Sequence, residues 1–225
     1  MFDKRINIFT GHFGSGKTEV AVNYALKLNE QKGNTVVIDM DIVNPFFRTA
    51  DAKAELESRG VKVMLPMYAN TNVDVPALPP EINTIFENKS YNVVLDVGGD
   101  DLGARAIGRY SKDILDNSYE MFFVVNTKRP MTDTAEKIEE MIYDIENSAR
   151  LKVTAIINNT NMLYRTATRD IEKGYEIIKK ATSKRNIPIA VTSGFAEALA
   201  GLKDEKYGEL LIMQKMIKLP WDRGL

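Results

Sequence analysis

One octapeptide constrains this chain more than any other feature: Gly11-His12-Phe13-Gly14-Ser15-Gly16-Lys17-Thr18, which has the spacing G-x-x-x-x-G-K-[ST]. It lies between a short apolar run, Ile6 to Phe9, and an amphipathic stretch, Val20 to Leu28, so strand, loop and helix follow one another as a phosphate-binding loop requires. Amides of such a loop converge on phosphate oxygens. Glycine is needed wherever a side chain would block that approach, and the following helix N-terminus adds a favourable dipole. Lys17 would reach the β and γ phosphates, and Thr18 would place its hydroxyl on Mg²⁺. Gly11, His12, Phe13, Gly14, Ser15, Gly16, Lys17, Thr18 and the next residue, Glu19, are the candidate nucleotide-binding residues.

Apolar runs recur at Val36 to Ile38, Val61 to Leu65, Val93 to Leu95, Phe122 to Val125, Val153 to Ile157 and Ile187 to Val191. Strands apolar on consecutive positions are covered on both faces, which favours a parallel sheet. Helical patterns separate them. Asp133 with Glu136 predicts a helix start, followed by an inward face of Ile138, Met141, Ile142 and Ile145. A second helix is predicted over Thr168 to Ala181, with Ile171, Tyr175 and Ile178 inward and Gly174 weakening it. The expected fold is α/β, a doubly wound, mostly parallel sheet with helices on both faces. With no linker or repeat in view, residues 1–225 fit a single nucleotide-binding domain, and Met67 to Glu81, rich in proline, predicts an irregular insertion.

Composition removes several chemistries. The chain has no Cys and one His, which excludes thiol nucleophiles, thiolate zinc sites, protein-bound iron-sulfur clusters and a His-based metal cage. A catalytic metal must therefore sit on oxygen ligands. A formal charge of -1, from 30 basic and 31 acidic residues, gives no overall basic footprint for nucleic acid. No run approaches the roughly 18 apolar residues of a membrane span, so a cytoplasmic location is expected, with neither membrane nor nucleic acid as partner.

A second Mg²⁺ anchor is expected at the end of another strand, and Asn92-Val93-Val94-Leu95-Asp96 supplies it. Thr18 and Asp96 are thus the candidate metal residues. Gly98-Gly99 follows, a turn in which the Gly99 amide would meet a γ-phosphate.

Val36-Val37-Ile38-Asp39-Met40-Asp41, shortly after the first helix, completes an order of motifs that resembles the MinD/ParA-like ATPases, within the SIMIBI group of P-loop NTPases. The resemblance implies that Asp41 orients the attacking water, and an in-line water beside a γ-phosphate does need an acceptor. Lys17 and Asp41 are the candidate catalytic residues. It also implies that Asn158, with Asn159 as the alternative, reads the base; an amide both accepts from adenine's exocyclic amine and donates to its ring nitrogen. An Asn-Lys-x-Asp guanine motif is absent, so ATP is expected in preference to GTP. Two positions depart from the family pattern. His12 stands where a signature lysine reaches across a nucleotide-bridged dimer, and Glu19 stands where a small hydroxyl residue is usual. A carboxylate there would be repelled by phosphate and is expected to turn away.

The function implied is a slow, Mg²⁺-dependent ATPase acting as a nucleotide-dependent switch toward an unidentified protein partner, with a nucleotide-dependent homodimer in prospect. Asn44 to Arg48 and Gly98 to Arg105 would be the switches, with Arg48 and Arg105 either stabilising γ-phosphate charge or pairing on the surface. The alternative is a SIMIBI-type ATP-dependent ligase or kinase acting on a small carboxylate or hydroxyl, similar to dethiobiotin synthetases. Asp100 and Asp101 read as helix N-terminal charges, Leu210 to Leu219 as a last helix packed on the core, and Lys179, Lys180, Lys184 and Arg185 as a solvated helix end.

Overall fold

The computed structural model describes residues 2–41, 49–66, 81–99, 101–202 and 205–217. The expected switch at Asn44 to Arg48, Asp100, and all but the last residue of the expected insertion lie outside them.

The apolar runs become strands β1 (Ile6–Thr10), β2 (Thr35–Asp39), β3 (Lys62–Met64), β4 (Asn92–Asp96), β5 (Tyr119–Val125), β6 (Ala155–Asn158) and β7 (Ile189–Gly194), joined by β8 (Glu209–Ile212). They form one eight-stranded sheet, ordered β3-β2-β4-β1-β5-β6-β7-β8, with every neighbouring pair parallel. The helices are α1 (Lys17–Lys32), α2 (Lys53–Ser58), α3 (Ile82–Glu87), α4 (Asp101–Gly108), α5 (Ser111–Leu115), α6 (Ala135–Ala149), α7 (Thr168–Thr182) and α8 (Ala196–Leu199).

Successive strand residues point to opposite faces, so each strand feeds two cores. On one face Ile8, Ile38, Leu95, Phe123 and Ile156 pack under α3, α4, α5, α6 and α7. On the other, Phe9, Val37, Val94, Phe122 and Ile157 pack under α1 and α2. Full burial of each such side chain contributes roughly 1.5–3 kcal/mol, which is why consecutive apolar residues are needed. The doubly wound fold expected from the pattern is the one observed, and its sheet is wholly rather than mostly parallel.

Local signals hold the ends of the helices. α1 stops at Gly33, at φ 68°, whose N–H donates to Asn29 O at 2.9 Å. α6 is capped by Thr134, one residue after the expected Asp133, and Asp133 instead pairs with Lys137 at 2.8 Å. Gly174, read as a weak point in α7, lets that helix approach Thr160, where a Cβ would overlap the hydroxyl. The expected last helix over Leu210 to Leu219 is not formed. The chain makes the edge strand β8 and then runs without regular structure through 213–217.

Candidate functional site

β1 lies at the centre of the sheet, between β4 and β5, and feeds the loop of residues 11–16 into α1. From β1 the chain passes to the β2 side, whereas from β5 it passes to β6 on the other, so the carboxyl ends of β1 and β5 flank the point where strand order reverses. Open α/β sheets bind ligands at that point.

Two glycines fix the loop. Gly16, at φ 84°, immediately precedes α1, and a Cβ there would overlap the Asn159 amide. Gly99, after β4, lies so close to the loop that a Cβ would overlap Gly11 O. Around them, Ser15 N donates to His12 O at 3.0 Å, Arg129 Nε to Gly14 O at 2.9 Å, and Asn159 Nδ2 to Ser15 O at 2.7 Å. No side chain caps the start of α1, which leaves its N-terminal amides directed at the loop's concave side.

Parallel register places Asp39 of β2 level with Asp96 of β4, and Asp96 level with Phe9 of β1. The acidic strand ends thus meet the loop. Lys17 Nζ lies 3.1 Å from Asp41 Oδ2, with the two side chains only 7% and 11% exposed. Asp41 N donates to Asp39 Oδ1 at 2.9 Å. Thr49 Oγ1 donates to Asp96 Oδ2 at 3.1 Å, and the other oxygen, Asp96 Oδ1, is buried with no hydrogen-bond partner among the described residues.

The electrostatics follow from this crowding. Burial opposes the charge on Lys17, but Asp96, Asp41 and Asp39 outweigh it and raise the ammonium above its usual 10.5. Burial pushes Asp96 above its usual 3.8, while Lys17 and the hydroxyls of Thr18 and Thr49 pull it back and Asp41 pushes it further up. An orphaned buried carboxylate oxygen beside a threonine hydroxyl suits a hard divalent cation and its waters. Among the described residues no group of three or more His, Asp or Glu forms a metal site by itself, so Mg²⁺ here would need phosphate oxygens as well.

Beside the loop is a cavity of about 240 Å³. Residues Phe13 to Glu19 form one side, and Asn126, Arg129, Asn159, Asn161, Met162, Leu163, Met213 and Ile217 the remainder. Two of the expected nucleotide residues are directed elsewhere. Asn158 is fully buried outside this lining, with Nδ2 donating to Ile171 O at 3.1 Å and Oδ1 accepting from Thr160 N at 3.1 Å. The side chain that reaches the loop is Asn159, the alternative. Glu19 lines the cavity but turns its carboxylate onto the segment after β8, accepting from Met216 N and from Ile217 N, the latter at 3.1 Å. Burial raises its pKa, and those two amides oppose the rise. His12 Nδ1 lies 2.8 Å from Phe13 O, so the ring rests on its own loop. Thr49, Arg129, Met213 and Ile217 join the site with no local signal in the sequence.

Arg105 is exposed on α4. The basic helix end is occupied by ion pairs, Lys180 with Glu136, Lys184 with Glu139 and Arg185 with Glu146. Among the described residues no helix is long and apolar enough to cross a membrane.

A parallel sheet whose central strand enters Gly11 to Thr18, spaced G-x-x-x-x-G-K-[ST], and then a helix defines a P-loop α/β protein. No family model and no curated protein matches the chain. Among solved structures it is similar to FtsY from Mycoplasma mycoides, at 17% identity and a TM-score of 0.50 over 84% of this chain and 61% of that one. It also matches a nucleotide-binding protein from Archaeoglobus fulgidus in complex with ADP, at 16% identity and a TM-score of 0.39 over 68% of this chain and 65% of that one. A third match is the signal recognition particle receptor FtsY from Elizabethkingia anophelis, at 10% identity and a TM-score of 0.40 over 95% and 60%. The chain spans 60–65% of the length of these three. The Mycoplasma likeness shows the fold, an open α/β sheet with a phosphate loop after its central strand.

Proposed function

We propose that the chain is a slow, Mg²⁺-dependent ATPase, built as a single nucleotide-binding domain and acting as a nucleotide-dependent switch toward a protein partner. The observation that carries this reading is the buried contact between Lys17 and Asp41 at the mouth of the phosphate loop. Phosphate entering the loop competes with Asp41 for the Lys17 ammonium. Once Lys17 turns to the β and γ oxygens, the Asp41 carboxylate is released to accept a hydrogen bond from the attacking water. Binding and activation of the water-orienting group are then one event.

The amides of Gly14 to Thr18 hold the phosphates, and Gly99, packed against Gly11 and His12, adds an amide on the γ side. Thr18 and Asp96 would hold Mg²⁺, which when bound neutralises charge on the phosphate oxygens. Adenine is favoured by the lining of the cavity. Guanine presents two adjacent donors that a carboxylate matches, and the one carboxylate among the described residues of the lining, Glu19, is taken by Met216 and Ile217. Phe13, 57% exposed, and Met162 at the cavity rim offer apolar surface to a partner or a second copy. The short His12 ring lies on its own loop, so a dimer of this chain would not use a lysine-like reach into the partner site.

Phosphate release measured without any acceptor tests the reading. Wild type should hydrolyse ATP slowly by itself, and Asp41→Ala should bind ATP without hydrolysing it. Full hydrolysis by Asp41→Ala would remove the water-orienting role, and turnover that begins only when a small carboxylate or hydroxyl acceptor is added would favour the ligase or kinase reading.

A further inference from the structure

The segment 213–217 has no regular structure, yet it supplies two residues of the cavity wall, Met213 and Ile217, both buried. Its attachment rests largely on two side chains of α1. Glu19 takes the consecutive amides of Met216 and Ile217, one on each carboxylate oxygen. Asn23, one turn further along the same helix face, donates from Nδ2 to Gln214 O at 2.9 Å and accepts at Oδ1 from Gln214 N at 2.7 Å. The segment's backbone is further tied by Met213 N, which donates to Gly194 O at 2.9 Å. Side chains of α1 therefore do for this segment what a neighbouring strand would do.

Position in the chain gives the arrangement its consequence. Lys17, Thr18 and Glu19 are consecutive. The first two face the phosphate loop, and the third holds the wall on the far side of the cavity. Carboxylate bonds to amides are roughly twice as strong as neutral ones, and two from one carboxylate fix direction as well as distance.

We propose that Glu19 is a positioning residue for the base-side wall: its grip on Met216 and Ile217 seats Met213 and Ile217 in the cavity, so that affinity for a purine base depends on Glu19 while affinity for the polyphosphate does not. This rests on the nucleotide reading above and deepens it. Loss of the grip frees the wall, so a base entering the cavity must order residues 213–217 itself, at a cost that weakens binding.

The test compares Mg-ATP with Mg-tripolyphosphate, which has the phosphates and no base, on wild type, Glu19→Gln and Asn23→Ala, with hydrogen exchange at Met216 and Ile217 in parallel. Both variants should lose about tenfold or more in ATP affinity, with tripolyphosphate affinity kept or raised, and the amides of 216 and 217 should lose protection in Glu19→Gln. A role in general stability alone would weaken both ligands together. An unchanged ratio of ATP to tripolyphosphate affinity in both variants, or protection retained in Glu19→Gln, overturns the proposal while leaving the nucleotide reading intact. Failure of wild type to bind either ligand overturns both.

Discussion

Replacing Lys17 with methionine, which keeps the length of the side chain and removes its charge, leaves Asp41, Asp39 and Asp96 gathered beneath the loop without their ammonium. Removing one partner of a buried pair costs about 3–5 kcal/mol, because the remaining charge loses that counter-ion. For a chain of this length each kcal/mol moves the thermal midpoint by about 2–4 °C, so Lys17→Met should melt about 6–20 °C below wild type, without nucleotide, near pH 8. Acid should relieve the loss. Asp96 already has its pKa raised by burial, and without Lys17 to oppose that rise it goes further up. In the window between its usual 3.8 and the raised value, the folded state holds a proton that the unfolded state has released. Stability therefore falls as pH rises through the window and recovers as pH is lowered. Calorimetric or urea unfolding at several pH values, with Asp41→Asn added in the Lys17→Met background, separates the pair from its surroundings, and Asp41→Asn should return part of the loss. A Lys17→Met protein that melts with wild type near pH 8, or whose deficit does not shrink toward pH 5, would refute the electrostatic reasoning.

Gly16→Ala must adopt φ near 84° and displace Asn159 from Ser15 O, so it should cost about 1–3 kcal/mol in urea unfolding and weaken ATP binding by about tenfold or more. Glu146 is held below its usual 4.5: burial alone would raise it, but Arg185, Lys152 and the Val153 amide prevail. That stabilisation is complete above 4.5 and is lost as pH falls through the lowered value, so Glu146→Gln should show a flatter acid limb than wild type in unfolding midpoints taken below pH 4.5. Tyr24→Phe removes a buried donor 2.7 Å from Asn7 Oδ1 and should cost about 1–3 kcal/mol, read in the same urea assay.

Seven of the eight strands were legible because a strand covered on both faces needs apolar residues at consecutive positions, as Val36 to Ile38 and Phe122 to Val125 show. β8 was not. Leu210, Leu211 and Ile212 with Met213, Met216 and Ile217 also fit a helical spacing, and a short apolar run does not reveal which period tertiary packing will select. Asn158 and Asn159 differ by one step of a pleat. Asn158 follows Ile156 onto the α7 face, whereas Asn159 follows Ile157 toward the start of α1 and the loop, and sequence alone does not fix which residue is in register. Glu19 is expected to turn away from a phosphate, and its carboxylate lies on the amides of Met216 and Ile217. Its destination, about 200 residues away, belongs to tertiary structure and leaves no local signal. The same holds for Thr49 on Asp96 and for Lys17 on Asp41, since the motifs mark each residue for a phosphate or a metal and say nothing of the bonds that hold it beforehand.

Isothermal titration of Mg-ATP into wild type and Lys17→Ala under the same conditions bears most directly on the claim that residues 11–18 and Asp41 form a nucleotide site. Wild type should bind one ATP per chain, and Lys17→Ala should lose about 100-fold or more, the effect of removing the charge-assisted contacts of one ammonium to the phosphates. Wild type that takes up no ATP, or Lys17→Ala that binds it as tightly as wild type, would contradict the account.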